Sequence, residues 1–519
     1  MNILTVLLLL SSLSCGAFGA KILAIFHFPC KSHHILGSTL LKNLAKKGHE
    51  VTMVSPFPFK EKIKNYKDLD ITGMLEYKEK YIVPKLVSGH KASMYDKMTY
   101  SIKNAKEVAE LFLNHPNYKQ LLSEHFDLII LNWSMNEAFL GIAHHFQAPV
   151  IVFSSIGASQ LTNKITRNPA PYSYVPNLFV TYPDDMNFIQ RMSNAFWSIS
   201  FTLVDHFINE NVQQELLTKY FPKAPPLQTL VDNVSLILLN SHFAIEGARP
   251  YVPNMIQIGG FHVEKPKPLA DDLKKFLDNA SEGAILFSLG TNVKSSHLPK
   301  EKLEEIIKCF AKVNLKVIWK FEKQFFSQLP PNVLVNEWFP QTDILAHPNV
   351  KAFVTHGGRL STIEALHYGV PIIGIPFFSD QESNVADSVN KGYGVRLGYE
   401  DLTSESLKNS LLEVTNNPMY RNNAKLRSDV LHDQPLAPLD MATYWVEYVM
   451  RHNGAFHLQC ASNQLTWYQR ILLDVIAFML FIISSLILIL YFTIRATYRF
   501  LKKLLSKKPK KTDLKKKKK

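Results

Sequence analysis

The sequence predicts an α/β protein with two doubly wound parallel-sheet domains and one membrane-spanning helix near the C-terminus. Three observations carry that expectation. Apolar runs alternate with helical patterns through both halves of the chain, the order a parallel sheet requires. Glycine-bearing turns close strands in the second half, at residues 288–291 and 356–358, and turns of this kind mark the ligand edge of such sheets. A mostly apolar stretch of 24 residues, 471–494, would span about 36 Å as a helix, enough to cross the hydrocarbon core of a bilayer.

Residues 1–20 carry a short leucine-rich core and small residues at 17–20, the pattern of a cleaved signal peptide. Cys15 leaves with it. Cys30, Cys309 and Cys460 remain, an odd and widely spaced set that suggests neither a disulfide framework nor a zinc site. The run KILAIFHF from Lys21 predicts the first strand, followed by a polar loop through Cys30 to His34. A helical pattern at Leu36, Leu40, Leu41 and Leu44 comes next, then a strand at 49–54. A further strand is expected at 126–132, and short ones at 236–240 and 257–260. The pattern weakens over 57–119 and 157–220. The second of these holds Phe179, Tyr182, Phe188, Phe196 and Trp197, aromatics that suit a core or an apolar pocket. Pro266 and Pro268 mark a linker. The expected division is a first domain at 21–260, a linker at 261–280, a second domain at 281–455, a juxtamembrane segment at 456–470, the membrane helix at 471–494 and a tail at 495–519.

In the second domain, 283–289 predicts a buried strand ending in Ser288, Leu289, Gly290 and Thr291. Residues 350–355 form another strand, closed by His356, Gly357 and Gly358; helix-forming residues 363–367 and a second apolar run, 370–376, complete a βαβ unit. Backbone N–H groups at such a turn and helix start can receive a phosphate. Ser361 and Glu364 have the spacing of a capping box, which offers a purely structural account of both.

Taken together, Trp338, Pro340, Gln341, His356-Gly357-Gly358, Glu364 and Asp380-Gln381 resemble the signature of the UDP-glycosyltransferases. The resemblance implies the GT-B architecture, two facing Rossmann-like domains with the donor on the C-terminal one. It also implies roles. Trp338 would stack on uracil, Gln341 contact the nucleoside and Glu364 hold the ribose hydroxyls. His356, Ser361, Gly357, Gly358 and the turn of Ser288, Gly290 and Thr291 would face the diphosphate, with Asp380 and Gln381 on the transferred sugar. Arg359 and Leu360 depart from the vertebrate pattern and leave the donor sugar open.

In the same resemblance His33, rather than His34, matches the general base, and a neutral imidazole suits removal of a hydroxyl proton near neutral pH. The position of its supporting carboxylate is Asn132. In a serine protease the corresponding change costs roughly 10⁴ in turnover through the wrong tautomer, so Asn132 predicts impaired catalysis. Glu137, at the next helix start, is the nearest alternative partner, or a plain helix-start carboxylate. Asp127 lies at the wrong end of its strand. Asp68-Leu69-Asp70, the only Asp-x-Asp spacing, is expected in a solvated loop, so no metal site is expected, and no cofactor beyond the UDP-sugar co-substrate.

The tail 495–519 has 13 Lys or Arg and one Asp, contributing +12 of the whole-chain +14. The basic excess is therefore a cytoplasmic anchor flank and not a nucleic-acid surface. A single-pass type I protein follows, with its domains in the lumen. Lys516 and Lys517 resemble a dilysine retrieval signal of the endoplasmic reticulum. Of the sequons at Asn132, Asn233 and Asn279, Asn279 is the expected glycan acceptor and Asn132 is expected to be buried. The segment 465–478 resembles the insect branch of the family, for which glucose is the usual donor. The expected activity is inverting, metal-independent transfer of glucose from UDP-glucose to a hydroxyl of a small lipophilic acceptor, as in detoxification or conjugation of endogenous metabolites. The rivals are glucuronosyl or N-acetylglucosaminyl transfer, and a membrane protein that binds UDP-sugar without turnover. A homo-oligomer is left open.

Overall fold

The computed structural model describes residues 19–84, 93–291, 294–321 and 328–506. The signal peptide up to residue 18, with Cys15, and the tail from 507, with Lys516 and Lys517, lie outside the described residues. Thirteen strands form two sheets among those described. In the first, β1 (Lys21–Ile25), β2 (Glu50–Ser55), β3 (Tyr66–Asp70), β4 (Leu128–Asn132), β5 (Val150–Ser154), β6 (Leu236–Leu239) and β7 (Met255–Gln257) run in the order β3-β2-β1-β4-β5-β6-β7. In the second, β8 (Ala284–Ser288), β9 (Lys316–Lys320), β10 (Val333–Asn336), β11 (Val350–Thr355), β12 (Ile372–Gly374) and β13 (Gly394–Arg396) run β10-β9-β8-β11-β12-β13. Every pairing is parallel. The helices that bear on function are α1 (Lys31–Lys46), α2 (Gln341–Leu345), α3 (Arg359–His367), α4 (Gln381–Asn390), α5 (Pro438–Arg451) and α6 (Leu473–Leu505).

The central strands β4, β5, β6 and β8 are buried at every position. Strands covered by helices on both faces must be apolar throughout, which is why LIILN, VIVFS and AILFS read as continuous runs. Each sheet reverses its strand order once, between β1 and β4 in the first and between β8 and β11 in the second. Crossovers leave those two points in opposite directions, so a crevice opens at the carboxyl ends of the four strands. The segments that follow β1, β4, β8 and β11 begin with Phe26, Trp133, Leu289 and His356.

Helix α1 buries Leu36, Leu40, Leu41 and Leu44 against the first sheet. Helix α5 comes from the far end of the globular chain and buries Ala442, Val446 and Val449 in the same cluster. Asn43 Nδ2 donates to Thr443 Oγ1 at 2.9 Å, and Glu447 lies 3.4 Å from the Lys47 ammonium. The chain thus crosses back to its first sheet after completing the second. The two sheets belong to one compact unit that extends to Cys460, where Gln459 Nε2 donates to the Asp232 and Val234 carbonyls at 3.0 Å each.

Several expectations are corrected. Asp68 and Asp70 stand in edge strand β3 and not in a loop: Asp68 accepts the Phe59 N–H at 3.0 Å and Asp70 the Thr72 N–H at 2.6 Å. β7 ends at Gln257, before the expected 257–260, because a Cβ on Gly259 would stand 2.7 Å from the Ser241 backbone and Gly260 takes φ +88°. Helix α3 starts at Arg359, not at 363, with Gly358 as N-cap. Ser361 and Glu364 therefore lie inside the helix, and no capping box forms.

A second unit begins at Ala461. Its helix α6 runs for 33 residues and is long and apolar enough to cross a membrane. It continues past Ile494 because the residues after it, up to Leu505, include good helix formers. Asp474 sits in its first turn, where a carboxylate suits the helix dipole.

Trp319, fully buried among Phe287, Phe310 and Phe321, anchors the second core. Trp319→Ala is expected to lower stability by about 3–5 kcal/mol, measured as a fall in the urea unfolding midpoint. A midpoint unchanged within error would refute that packing.

Candidate active site

A cavity of about 1070 Å³ lies between the carboxyl edges of the two sheets. It is lined by His33 from the first half, and by Ser288, Gly290, Thr291, Trp338, Gln341, His356, Gly358, Ser361, Glu364, Asp380 and Gln381 from the second. Gly357, Asn132 and Glu137 stand behind the wall. Gly357 takes φ +81°, a left-handed turn that lets β11 enter α3, and its carbonyl accepts the Asn384 amide at 2.9 Å.

The donor wall is a set of interlocked polar groups. Gln341, opening α2, donates from Nε2 to Glu364 Oε2 at 2.5 Å and to Ser361 Oγ at 3.2 Å. Glu364 Oε1 is 3.4 Å from Nε2 of buried His262. The His356 imidazole is wedged between two glycines: a Cβ on Gly290 would stand 2.5 Å from its Cε1, and one on Gly358 2.5 Å from its Nε2. Gly290 also takes φ +88°, so both space and backbone exclude a side chain there. Burial holds His356 neutral, its pKa lowered to about 4. A neutral imidazole, a hydroxyl and the first N–H groups of α3 together can receive phosphate oxygens. Lys320, at the end of β9, donates to the Gly290 carbonyl at 2.7 Å with its ammonium 5.2 Å from the Trp338 ring centre. The Trp338 ring is itself 59% exposed, free to receive a flat base.

Asp380 accepts from Asn384 Nδ2 at 2.7 Å, which leaves its other oxygen for a ligand hydroxyl. Gln381 uses its carbonyl oxygen on the backbone N–H groups of Phe377 and Phe378, at 2.8 and 3.2 Å, so its NH₂ is the group it can offer. Arg359 and Leu360 also reach the cavity wall, but each is engaged with the first half of the chain. The Arg359 guanidinium is 3.0 Å from Glu246 Oε1 with both residues buried, and Leu360 packs on the core of the first sheet.

On the opposite wall His33 sits in the first turn of α1, and its Nδ1 is 2.8 Å from Asn132 Oδ1. Asn132 Nδ2 is 2.8 Å from Ser155 Oγ and 3.3 Å from the Phe153 carbonyl. A carbonyl only accepts, so the NH₂ must face Phe153 and the amide oxygen must face the imidazole. His33 then carries its proton on Nδ1 and leaves Nε2 as a free acceptor. The neighbours of Asn132 thus decide which end of its amide is presented, and an oxygen faces Nδ1 as a carboxylate oxygen would. Burial lowers the pKa of His33. His34 turns the other way, bonding Ser55 Oγ at 2.8 Å. Glu137 does not partner His33. Its carboxyl accepts from Asn209 at 3.2 Å, and burial, reinforced by the nearby Asp205 charge, pushes its pKa up to about 7. Asp127 is bonded to the Lys21 N–H at 2.8 Å, at the far end of the sheet. Asn132 is fully buried, whereas Asn279 is exposed.

Sequence reasoning missed His262, Lys320 and Ser155. Lys320 ends a strand that polar residues disguised. His262 follows Gly259 and Gly260 just beyond β7, a position that a strand-end rule could have flagged.

The architecture is that of GT-B glycosyltransferases. The crystal structure of CalG4, the calicheamicin glycosyltransferase, matches with a TM-score of 0.56 at 17% identity, over 83% of this chain and 99% of that one. The glycotransferase of kitacinnamycin gives 0.53 at 16%, over 84% and 99%. The family description "UDP-glucoronosyl and UDP-glucosyl transferase" matches residues 21–511, and the chain belongs to that family. It is 36% identical to UDP-glucosyltransferase 2 of Dactylopius coccus, over 92% of this chain and 93% of that protein. It is 32% identical to UDP-glucuronosyltransferase 1-2 of Rattus norvegicus, over 93% and 92%. The protein is an enzyme that transfers a sugar from a UDP-sugar.

Two measurements check this site. Gly290→Ala drives a methyl into the His356 ring, and UDP affinity is expected to fall at least tenfold in calorimetric titration; unchanged affinity would remove His356 from the phosphate wall. Burial also keeps His27, His34, His242, His356 and His367 neutral, with pKa values lowered to about 3, 3, 4, 4 and 4. The unfolded chain takes up protons near pH 6.5 that the folded chain refuses. Stability is therefore full above 6.5 and falls as pH drops towards 4, by up to ~1.4 kcal/mol per pH unit for each histidine. A urea midpoint flat across that window would contradict the burial.

Proposed function

We propose that this enzyme is an inverting glucosyltransferase acting on a hydroxyl of a small lipophilic acceptor, with His33 as general base. The observation that carries the reading is the oriented pair of His33 and Asn132, whose free Nε2 belongs to a residue lining the same cavity as the donor motif. Nε2 takes the acceptor proton as the oxygen attacks the anomeric carbon from the face opposite the diphosphate, which inverts that centre. The leaving UDP is met by His356, the amides at the start of α3 and the turn of Ser288 to Thr291. Trp338 stacks on uracil, Gln341 and Glu364 hold the nucleoside with His262 behind them, and Asp380 and Gln381 take the sugar hydroxyls.

Glucose as donor is supported by the glucosyltransferase relative of Dactylopius coccus and by the engagement of Arg359, a cation beside the donor motif, with Glu246. Glucuronosyl transfer is the second reading, favoured by the named activity of the mammalian relatives. An inactive UDP-sugar binder rested on Asn132, and the orientation of its amide argues against it. The membrane helix and its basic flank support a type I protein of the endoplasmic reticulum with luminal catalytic domains.

UDP release from membranes bearing the full chain, given UDP-glucose or UDP-glucuronate and a panel of lipophilic hydroxyl compounds, tests the reading. His33→Ala is expected to cut turnover by about 10²–10⁴ with UDP affinity kept within twofold. Retained turnover would dismiss His33 as base. Trp338→Ala is expected to weaken UDP binding by about tenfold, given stacking of about 1–3 kcal/mol per base; equal affinity would refute the stacking.

A further inference from the structure

The wall that holds Gln341 and Glu364 is not built by the second half of the chain alone. The segment that crosses from β7 to the second sheet is fastened to the region of α2 and α3, the helices that carry those two residues. Tyr368, just past α3, donates its hydroxyl to the Glu264 carbonyl at 3.3 Å, and the Lys267 N–H donates to Asp343 of α2 at 2.9 Å. His262, Glu264 and Lys267 all line the cavity. The His262 imidazole is set inside the protein, its side chain 1% exposed and its Nε2 3.4 Å from Glu364 Oε1.

Neither ring nitrogen of His262 has a hydrogen-bond partner among the described residues. A buried donor left unmade costs free energy, so such a ring calls for a polar group at its edge. Glu364 is that group. Gln341 already holds Oε2 at 2.5 Å, and the oxygen that His262 faces is the other one. A carboxylate with one donor on each oxygen is fixed against rotation and keeps a lone pair on both for the two hydroxyls of a vicinal diol.

We propose that His262 is a positioning residue for ribose recognition: it braces Glu364 Oε1 and, with Gln341 on the other oxygen, makes the site select a ribonucleoside diphosphate over its 2'-deoxy counterpart. The inference rests on the reading above, which gives Glu364 the ribose hydroxyls. A site built to bond a hydroxyl rejects the analogue that lacks it, because its own buried polar groups are then left unpaired. Ribose recognition thereby depends on the segment that leaves the first sheet, although Glu364 stands in the second half of the chain.

Calorimetric titration of the full chain with UDP and with 2'-deoxyuridine diphosphate tests the assignment, in wild type, His262→Leu, His262→Gln and Glu364→Gln. Wild type is expected to favour UDP at least tenfold. His262→Leu should cut that preference at least fivefold, chiefly through lost UDP affinity, and His262→Gln, which keeps an N–H donor, should recover most of it. A preference unchanged in His262→Leu would overturn the assignment, and so would a loss shared equally by both nucleotides, the mark of a merely structural role. Glu364→Gln separates the inference from the reading beneath it. If Glu364→Gln loses the preference and His262→Leu keeps it, His262 alone is dismissed; if both keep it, Glu364 does not hold the ribose and the two fall together. In the Glu364→Gln background, His262→Leu is expected to change the preference no further. A further fall of the same size would make the two effects independent and overturn the proposal that His262 acts through Glu364.

Discussion

A buried ion pair ties helix α3 of the second half to the connection between β6 and β7 in the first. Arg359 is the first residue of α3, and its guanidinium meets Glu246, from the connection between β6 and β7, at 3.0 Å where neither is open to solvent. Arg249 lies 3.9 Å from the same carboxylate. Beside the pair, Leu360 enters the cluster of Phe26, Phe153 and Phe261. Removing one partner of such a pair leaves a stranded charge and costs roughly 3–5 kcal/mol. The contact ties the start of α3, just before Ser361, to the half of the chain that carries His33. The two residues that depart from the vertebrate signature serve this junction.

Within the cleft, the controlling factor is the removal of charge. Burial lowers the pKa of both His33 and His356, which favours the uncharged imidazole in each. Two carboxylates beside the glycine turns are engaged: Glu364 by Gln341 and Asp380 by Asn384. A neutral amide at Asn132 fits this scheme, because orientation of the imidazole needs only an oxygen acceptor, and the Phe153 carbonyl ensures that an oxygen is what His33 meets.

Much of this was legible in the chain. The buried strands β1, β4, β8 and β11 announce themselves as apolar runs, and the site residues follow their carboxyl ends. Strands β3, β9, β10 and β13 were not visible as strands. YKDLD and KVIWK carry charges at their ends or on alternate positions, and VLVN and GVR are too short to stand out. Pairing with a neighbour, not local composition, makes these segments extended. The spacing of Ser361 and Glu364 misled in the opposite direction. It matched a capping box, yet the helix begins two residues before Ser361, because Gly358 after the left-handed Gly357 is the extended N-cap and Arg359 the first helical residue.

By itself the sequence determined the fold class, the glycine-bearing turns, the long apolar C-terminal helix and the family, since all of these rest on periodicity and on residues close together along the chain. The tertiary structure alone decided which end of the Asn132 amide meets His33, which residue pairs with Arg359, and that Lys320 and His262 stand at the cavity. Those outcomes depend on contacts between segments tens to hundreds of residues apart. In a close-packed interior the neighbours brought by the fold, and not the residue type, select the hydrogen bond each group makes.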